Sequence, residues 1–212
     1  MPRNLSGIRA MVPKVVSGCT LAGSAMNKHA TNVYLIGPMG SGKTTIGQRL
    51  AKKLNLEFLD NDHELQKQTG ASVNLIFDLE GEEGFRKRET AMLKKLTARN
   101  GVLLATGGGT VLAQENRELL RSTGIVVYLR TTVNQQIKRL VRDKSRPLLQ
   151  SGDRKEKLIR LATERNPLYE ALADITYQSR NRGLESATET LYQTILSHRN
   201  DRNAPGPDKT EP

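Results

Sequence analysis

Between a short β-rich run and a helix-like segment stands Gly37-Pro38-Met39-Gly40-Ser41-Gly42-Lys43-Thr44. It meets G-x-x-x-x-G-K-[ST] at every constrained position, and a strand before it and a helix after it are the context that gives the pattern meaning. Backbone N–H groups of such a turn converge on phosphate oxygens, and the helix N-terminus adds the positive end of its dipole. Lys43 would reach the β- and γ-phosphates, and the Thr44 hydroxyl would ligate Mg²⁺. The alternative is a glycine turn that merely caps a helix, which the preceding strand disfavours. The segment is therefore read as a P-loop, with Gly40, Ser41, Gly42, Lys43, Thr44 and Thr45 as the run that binds ATP or GTP. It leaves the phosphoryl acceptor open.

The rest of the chain alternates in the same way. β-rich runs fall at Asn32–Ile36, Glu57–Asp60, Val102–Thr106, Ile125–Leu129 and Asp174–Tyr177, with helical patterns over Thr45–Leu54, Glu82–Leu96 and Glu185–Leu196. Strands alternating with helices of this length predict an α/β fold with a parallel sheet, and near-continuous apolar strands fit a sheet covered on both faces. No apolar run approaches the ~18 residues of a membrane-spanning helix. The single cysteine, Cys19, forms no intrachain disulfide. Residues 1–31 lack a sustained period and carry Arg3, Arg9, Lys14 and Lys28 with no acid. An organellar transit peptide fits this composition; the expectation preferred here is a dispensable extension, with Met26 near the true start and a cytoplasmic enzyme. The domain is expected over 32–197, with residues 198–212 a tail.

A net charge of +11 admits nucleic acid, an acidic membrane surface or small anions as partners. Aromatics narrow the choice: with no Trp, three Phe and five Tyr, the chain lacks the stacking platforms of single-strand binders. Position narrows it further. Residues 138–165 hold ten Lys/Arg against four Asp/Glu, a local excess of +6. Pro147 and Gly152 interrupt this stretch, so a mobile cationic lid at about 142–155 is expected to close over phosphates and exclude water. Arg154, Lys155 and Lys157 are expected on a solvated helical face.

Three further strings bear on the acceptor. The third β-run ends in Thr106-Gly107-Gly108-Gly109, where switches and motors place an acid; this is the sheet edge at which ligands bind. Phe58-Leu59-Asp60-Asn61-Asp62 ends the second run, and a carboxylate there can orient an acceptor hydroxyl and take its proton. The plainer reading of Asp62 is an N-cap for a helix starting at His63. In Gly84-Phe85-Arg86-Lys87-Arg88-Glu89, Arg86 and Glu89 share a helix face. Either they form a surface ion pair, or Arg86 binds a carboxylate bidentately while Glu89 fixes its geometry.

Six strings, GPMGSGKTTIG, FLDND, DLEGEEGFRKRE, ATGGG, RDKSRPLL and RNPLY, occur in an order that resembles the shikimate kinase family from about Asn32 to Leu196. The resemblance implies transfer of the γ-phosphoryl of ATP to the 3-hydroxyl of shikimate with Mg²⁺. It implies a P-loop NTPase fold with five strands in order 2-3-1-4-5, and a monomer. By it, Asp62 is the base or orienter, and Asp60 reaches Mg²⁺ through water beside the direct ligand Thr44. Arg86 and Arg165 hold the shikimate carboxylate, and the Gly108 backbone meets the ring hydroxyls within a substrate-binding turn of Gly107, Gly108 and Gly109. Arg146 joins Lys43 at the phosphates as a catalytic cation, Arg139 packs on adenine, and Arg182 lies in the adenine loop. The rivals are another small P-loop kinase, acting on gluconate or a nucleotide, and a nucleic-acid-binding protein that has lost the chemistry.

Overall fold

The computed structural model describes residues 31–140, 153–178 and 183–203. The five apolar runs form strands β1 (Asn32–Ile36), β2 (Glu57–Asp60), β3 (Val102–Ala105), β4 (Gly124–Arg130) and β5 (Ile175–Gln178). They make one sheet in the order β2-β3-β1-β4-β5, and every pairing is parallel. Tyr34 of β1 sits opposite Leu104 of β3 on one side and Val126 of β4 on the other. β1 and β3 are buried throughout and β4 as far as Leu129. Burial on both faces explains their unbroken apolar character.

Seven helices cover the sheet among the described residues: α1 (Lys43–Leu54), α2 (Asn61–Thr69), α3 (Val73–Thr97), α4 (Gln114–Thr123), α5 (Val133–Leu140), α6 (Arg154–Leu172) and α7 (Leu184–Asn203). Alternate strand residues feed two cores. Val33, Leu35, Leu103 and Val127 pack with Ile46 and Leu50 of α1 and Leu191 and Ile195 of α7. Tyr34, Ile36, Leu104 and Tyr128 pack on the other face with Phe85, Met92 and Leu93 of α3, Leu120 of α4 and Tyr169 of α6. The doubly covered parallel sheet agrees with the sequence.

Strand ends shift by a single residue from expectation, and two helix ends differ by a turn or more. The helix expected over Glu82–Leu96 begins at Val73, where Ser72 caps it by accepting from the Leu75 N–H at 3.2 Å. It is two helical segments joined at Gly81 (φ 68°, ψ −175°), and Phe77 and Phe85 meet across the break at 4.5 Å between ring centroids. The last helix continues past Leu196 to Asn203. Of the expected lid, residues 142–152 lie outside the described residues; Asp153 caps α6 by accepting from the Lys155 and Glu156 N–H groups.

Candidate active site

The P-loop joins β1 to α1, so its apex lies at the carboxyl edge of the sheet. α1 begins after Gly42 with no side chain capping its first N–H groups, an arrangement suited to an anion. Lys43 folds back on the loop, its Nζ donating to the carbonyls of Gly37 (2.8 Å) and Pro38 (2.9 Å). Arg139, near the end of α5, donates to the Gly40 carbonyl at 3.0 Å. Met39 packs with Leu140 and Leu158, which fixes the loop against α5 and α6.

β2 ends at Asp60 and α2 starts at once. Asp60, not Asp62, is the N-cap: its Oδ1 accepts from the N–H groups of Asp62 (3.1 Å) and His63 (3.3 Å). That removes the capping explanation for Asp62, whose carboxylate lines the cavity instead. The other oxygen of Asp60 accepts from the Thr44 hydroxyl at 2.8 Å, tying β2 to α1.

Arg86 and Glu89 form the second cluster. Arg86 Nη1 donates to Glu89 Oε2 at 2.7 Å, and Nη2 to Glu82 Oε1 at 3.0 Å. The surface ion-pair reading fails for Glu89, which is fully buried, while Arg86 is partly so. Glu89 Oε1 accepts from the Thr110 hydroxyl at 2.7 Å. Burial pushes the Glu89 carboxyl up, and the Arg86 guanidinium and the Thr110 hydroxyl pull it back. Burial lowers the Arg86 guanidinium, but its acidic neighbours Glu89 and Glu82 together more than offset this and hold it up. The glycines after β3 make this packing possible: a Cβ on Gly107 would lie 2.3 Å from Glu89 Oε1, and one on Gly109 2.3 Å from Arg86 Nη2. The turn is thus a surface against which charged side chains close.

α6 supplies the last wall. Arg165 is buried, with its Nη1 3.4 Å from the Gly108 carbonyl and its Nε 3.6 Å from Glu164. Tyr169, one turn on, donates its hydroxyl to the same carbonyl. The Arg154 Nη1 donates to the Leu140 carbonyl at 3.0 Å, so this residue ties α6 to α5 rather than sitting on a solvated face as expected.

These parts enclose one cavity of about 430 Å³. Its walls include Gly40, Gly42, Lys43, Thr44 and Thr45 from the loop, Asp60 and Asp62, Arg86, Gly107, Gly108, Gly109, Arg139 and Arg165. Ser41, also of the loop, is buried. Arg146 and Arg182 lie outside the described residues. The sequence reading missed Val73 and Phe77, which line the cavity from the first segment of α3, and Thr110 and Tyr169, which sit behind it. The cap at Ser72 was the available signal for that first segment.

Similarity to known proteins covers most of the chain. The shikimate kinase family model matches residues 39–196. The chain belongs to the shikimate kinase family. A shikimate kinase of Vibrio cholerae is 48% identical over 167 residues, covering 79% of this chain and 96% of that protein. One from Actinobacillus pleuropneumoniae is 55% identical over 148 residues, 70% of this chain and 86% of that protein. Among solved structures, the shikimate kinase of Acinetobacter baumannii in complex with shikimate superposes with a TM-score of 0.77 at 48% identity, covering 79% of this chain and 94% of its own. As a shikimate kinase family member, the chain is an ATP-dependent phosphotransferase, and its strand order is the one the resemblance implied.

Proposed function

We propose that this chain transfers the γ-phosphoryl of ATP to the 3-hydroxyl of shikimate, giving shikimate 3-phosphate and ADP. The observation that carries the reading is the convergence of Asp62, Arg86 and Arg165 on the cavity that the P-loop closes. Two buried or half-buried guanidiniums suit a carboxylate, and a carboxylate beside them suits the hydroxyl of a compact polyol acid.

Each group has a defined task. Arg86 and Arg165 hold the substrate carboxylate and so set the ring's orientation, while the glycine turn contacts its hydroxyls. Asp62 accepts the hydrogen bond of the reacting hydroxyl, aligns its oxygen on the γ-phosphorus, and receives its proton as the P–O bond forms. The P-loop N–H groups and Lys43 take up charge on the phosphates, and Arg139 and Arg182 serve the adenine side. Arg146 is assigned to the transferring phosphoryl group.

The donor set beside the loop fits Mg²⁺. The Thr44 hydroxyl donates its hydrogen bond to Asp60, which leaves the hydroxyl oxygen's lone pairs for a hard cation, and Asp60 stands close enough to reach one through water. When bound, Mg²⁺ neutralises charge on the β- and γ-phosphate oxygens. The reading includes a monomeric enzyme of the cytoplasm; among the described residues no helix is long and apolar enough to cross a membrane.

A coupled ADP-release assay with shikimate, gluconate and nucleoside monophosphates tests the assignment. Turnover with shikimate alone is expected, and its absence would overturn the reading.

A further inference from the structure

The turn after β3 can present backbone donors to a ligand only if something fixes the rotation of its peptide planes. Gly107, Gly108 and Gly109 carry no side chain to wedge them. Tyr169 supplies the constraint from behind. Its ring is 1% exposed and stacks on Tyr128 at 5.1 Å between centroids, and its hydroxyl donates to the Gly108 carbonyl. Arg165 Nη1 approaches the same oxygen at 3.4 Å, a longer and weaker contact.

Across a trans peptide the carbonyl and the following N–H point in opposite directions, and the described residues contain no cis bond. A Gly108 carbonyl held toward α6 therefore turns the Gly109 N–H away from α6. We infer that Tyr169 is a positioning residue for the acceptor substrate: its hydroxyl locks the Gly108–Gly109 peptide so that the Gly109 N–H is presented to an oxygen of the polyol in the cavity. This rests on the function proposed above. Under that reading Arg165 turns its donors to the substrate carboxylate, and Tyr169 remains as the holder of the Gly108 carbonyl. Burial pushes the phenol far above its usual range, so its proton stays on the oxygen at working pH.

The test separates the hydroxyl from the ring. Tyr169→Phe keeps the stacked packing and removes only the donor. Its shikimate KM should rise about three- to tenfold, the effect of one neutral hydrogen bond, with the ATP KM unchanged. Tyr128→Phe loses a hydroxyl from the same stacked pair, one that reaches Asn166 Oδ1 at 3.4 Å, and should leave both KM values alone. The Gly109 amide resonance should shift or broaden in the first variant only. A shikimate KM within twofold of the parent in Tyr169→Phe overturns the inference. So does an equal rise in both KM values, or the same behaviour from Tyr128→Phe, since either marks general loosening. A parent enzyme inactive on shikimate refutes the function reading itself, an outcome distinct from an active parent with an unaffected Tyr169→Phe.

Discussion

At the scale of single residues, neighbours in sequence take unlike tasks. Asp60 spends one carboxylate oxygen on the N–H groups of Asp62 and His63 and the other on Thr44, so it organises the junction of β2, α1 and α2. Asp62 is thereby released from capping to face the cavity. Asp62→Asn should lower kcat by roughly 10²- to 10⁴-fold, the usual worth of a positioned base, while ATP affinity stays within about twofold by calorimetry; near-parental kcat would refute the assignment. The Arg86–Glu89 pair carries a pH signature. Glu89 must be ionised to hold Arg86, and burial raises its carboxyl above the ordinary range. Acidification through that raised value protonates Glu89, loosens Arg86 and raises the shikimate KM, so the acid limb lies at higher pH than for an exposed glutamate. In Glu89→Gln the amide keeps a pH-independent acceptor, and this limb should vanish from a plot of shikimate KM against pH. Of these roles, Arg86 with Glu89 was legible from i, i+3 spacing, because one helix turn suffices to join them. Which aspartate caps α2 was not, since two acids in three residues satisfy the same local rule.

At the scale of elements, α3 is the least regular and the most consequential. Its first segment brings Val73 and Phe77 to the cavity, its second brings Arg86 and Glu89, and Gly81 sets the angle between them. The backbone there, at φ 68° and ψ −175°, is open in practice only to glycine, and other residues lose on the order of 1–3 kcal/mol. No atom lies within 4 Å of a Cβ placed on Gly81, so Gly81→Ala tests the backbone alone. Its Tm should fall by roughly 2–10 °C in a thermal melt, and the shikimate KM should rise more than the ATP KM as the first segment swings away. An unchanged Tm would show that the junction relaxes without strain. The second segment was visible as an amphipathic pattern. The first was not, because the break at Gly81 interrupts the period on which such patterns depend.

At the scale of the whole molecule, every residue lining the cavity lies between Met39 and Arg165, and the family match spans 39–196. Thr31 is held by the last helix, its carbonyl accepting from Arg199 at 2.8 Å. A chain of residues 31–203 should therefore keep kcat and both KM values within about twofold and melt within a few degrees of the full chain. A large loss would assign residues 1–30 or 204–212 a part in the fold. The net charge also takes its place at this scale: cations from α3, α5 and α6 meet at one cavity, where they face phosphate and carboxylate. By itself the sequence determined the phosphate loop and the parallel sheet, the first from one contiguous string and the second from the alternation of strand and helix patterns; the acceptor came only through the family resemblance that the ordered strings carry. Only the tertiary structure decided that Thr110 braces Glu89 and that Tyr169 holds Gly108, contacts that join residues 21 and 61 positions apart. Such pairs have no period and no spacing rule; they exist because parallel strands bring the ends of distant segments to one edge of the sheet.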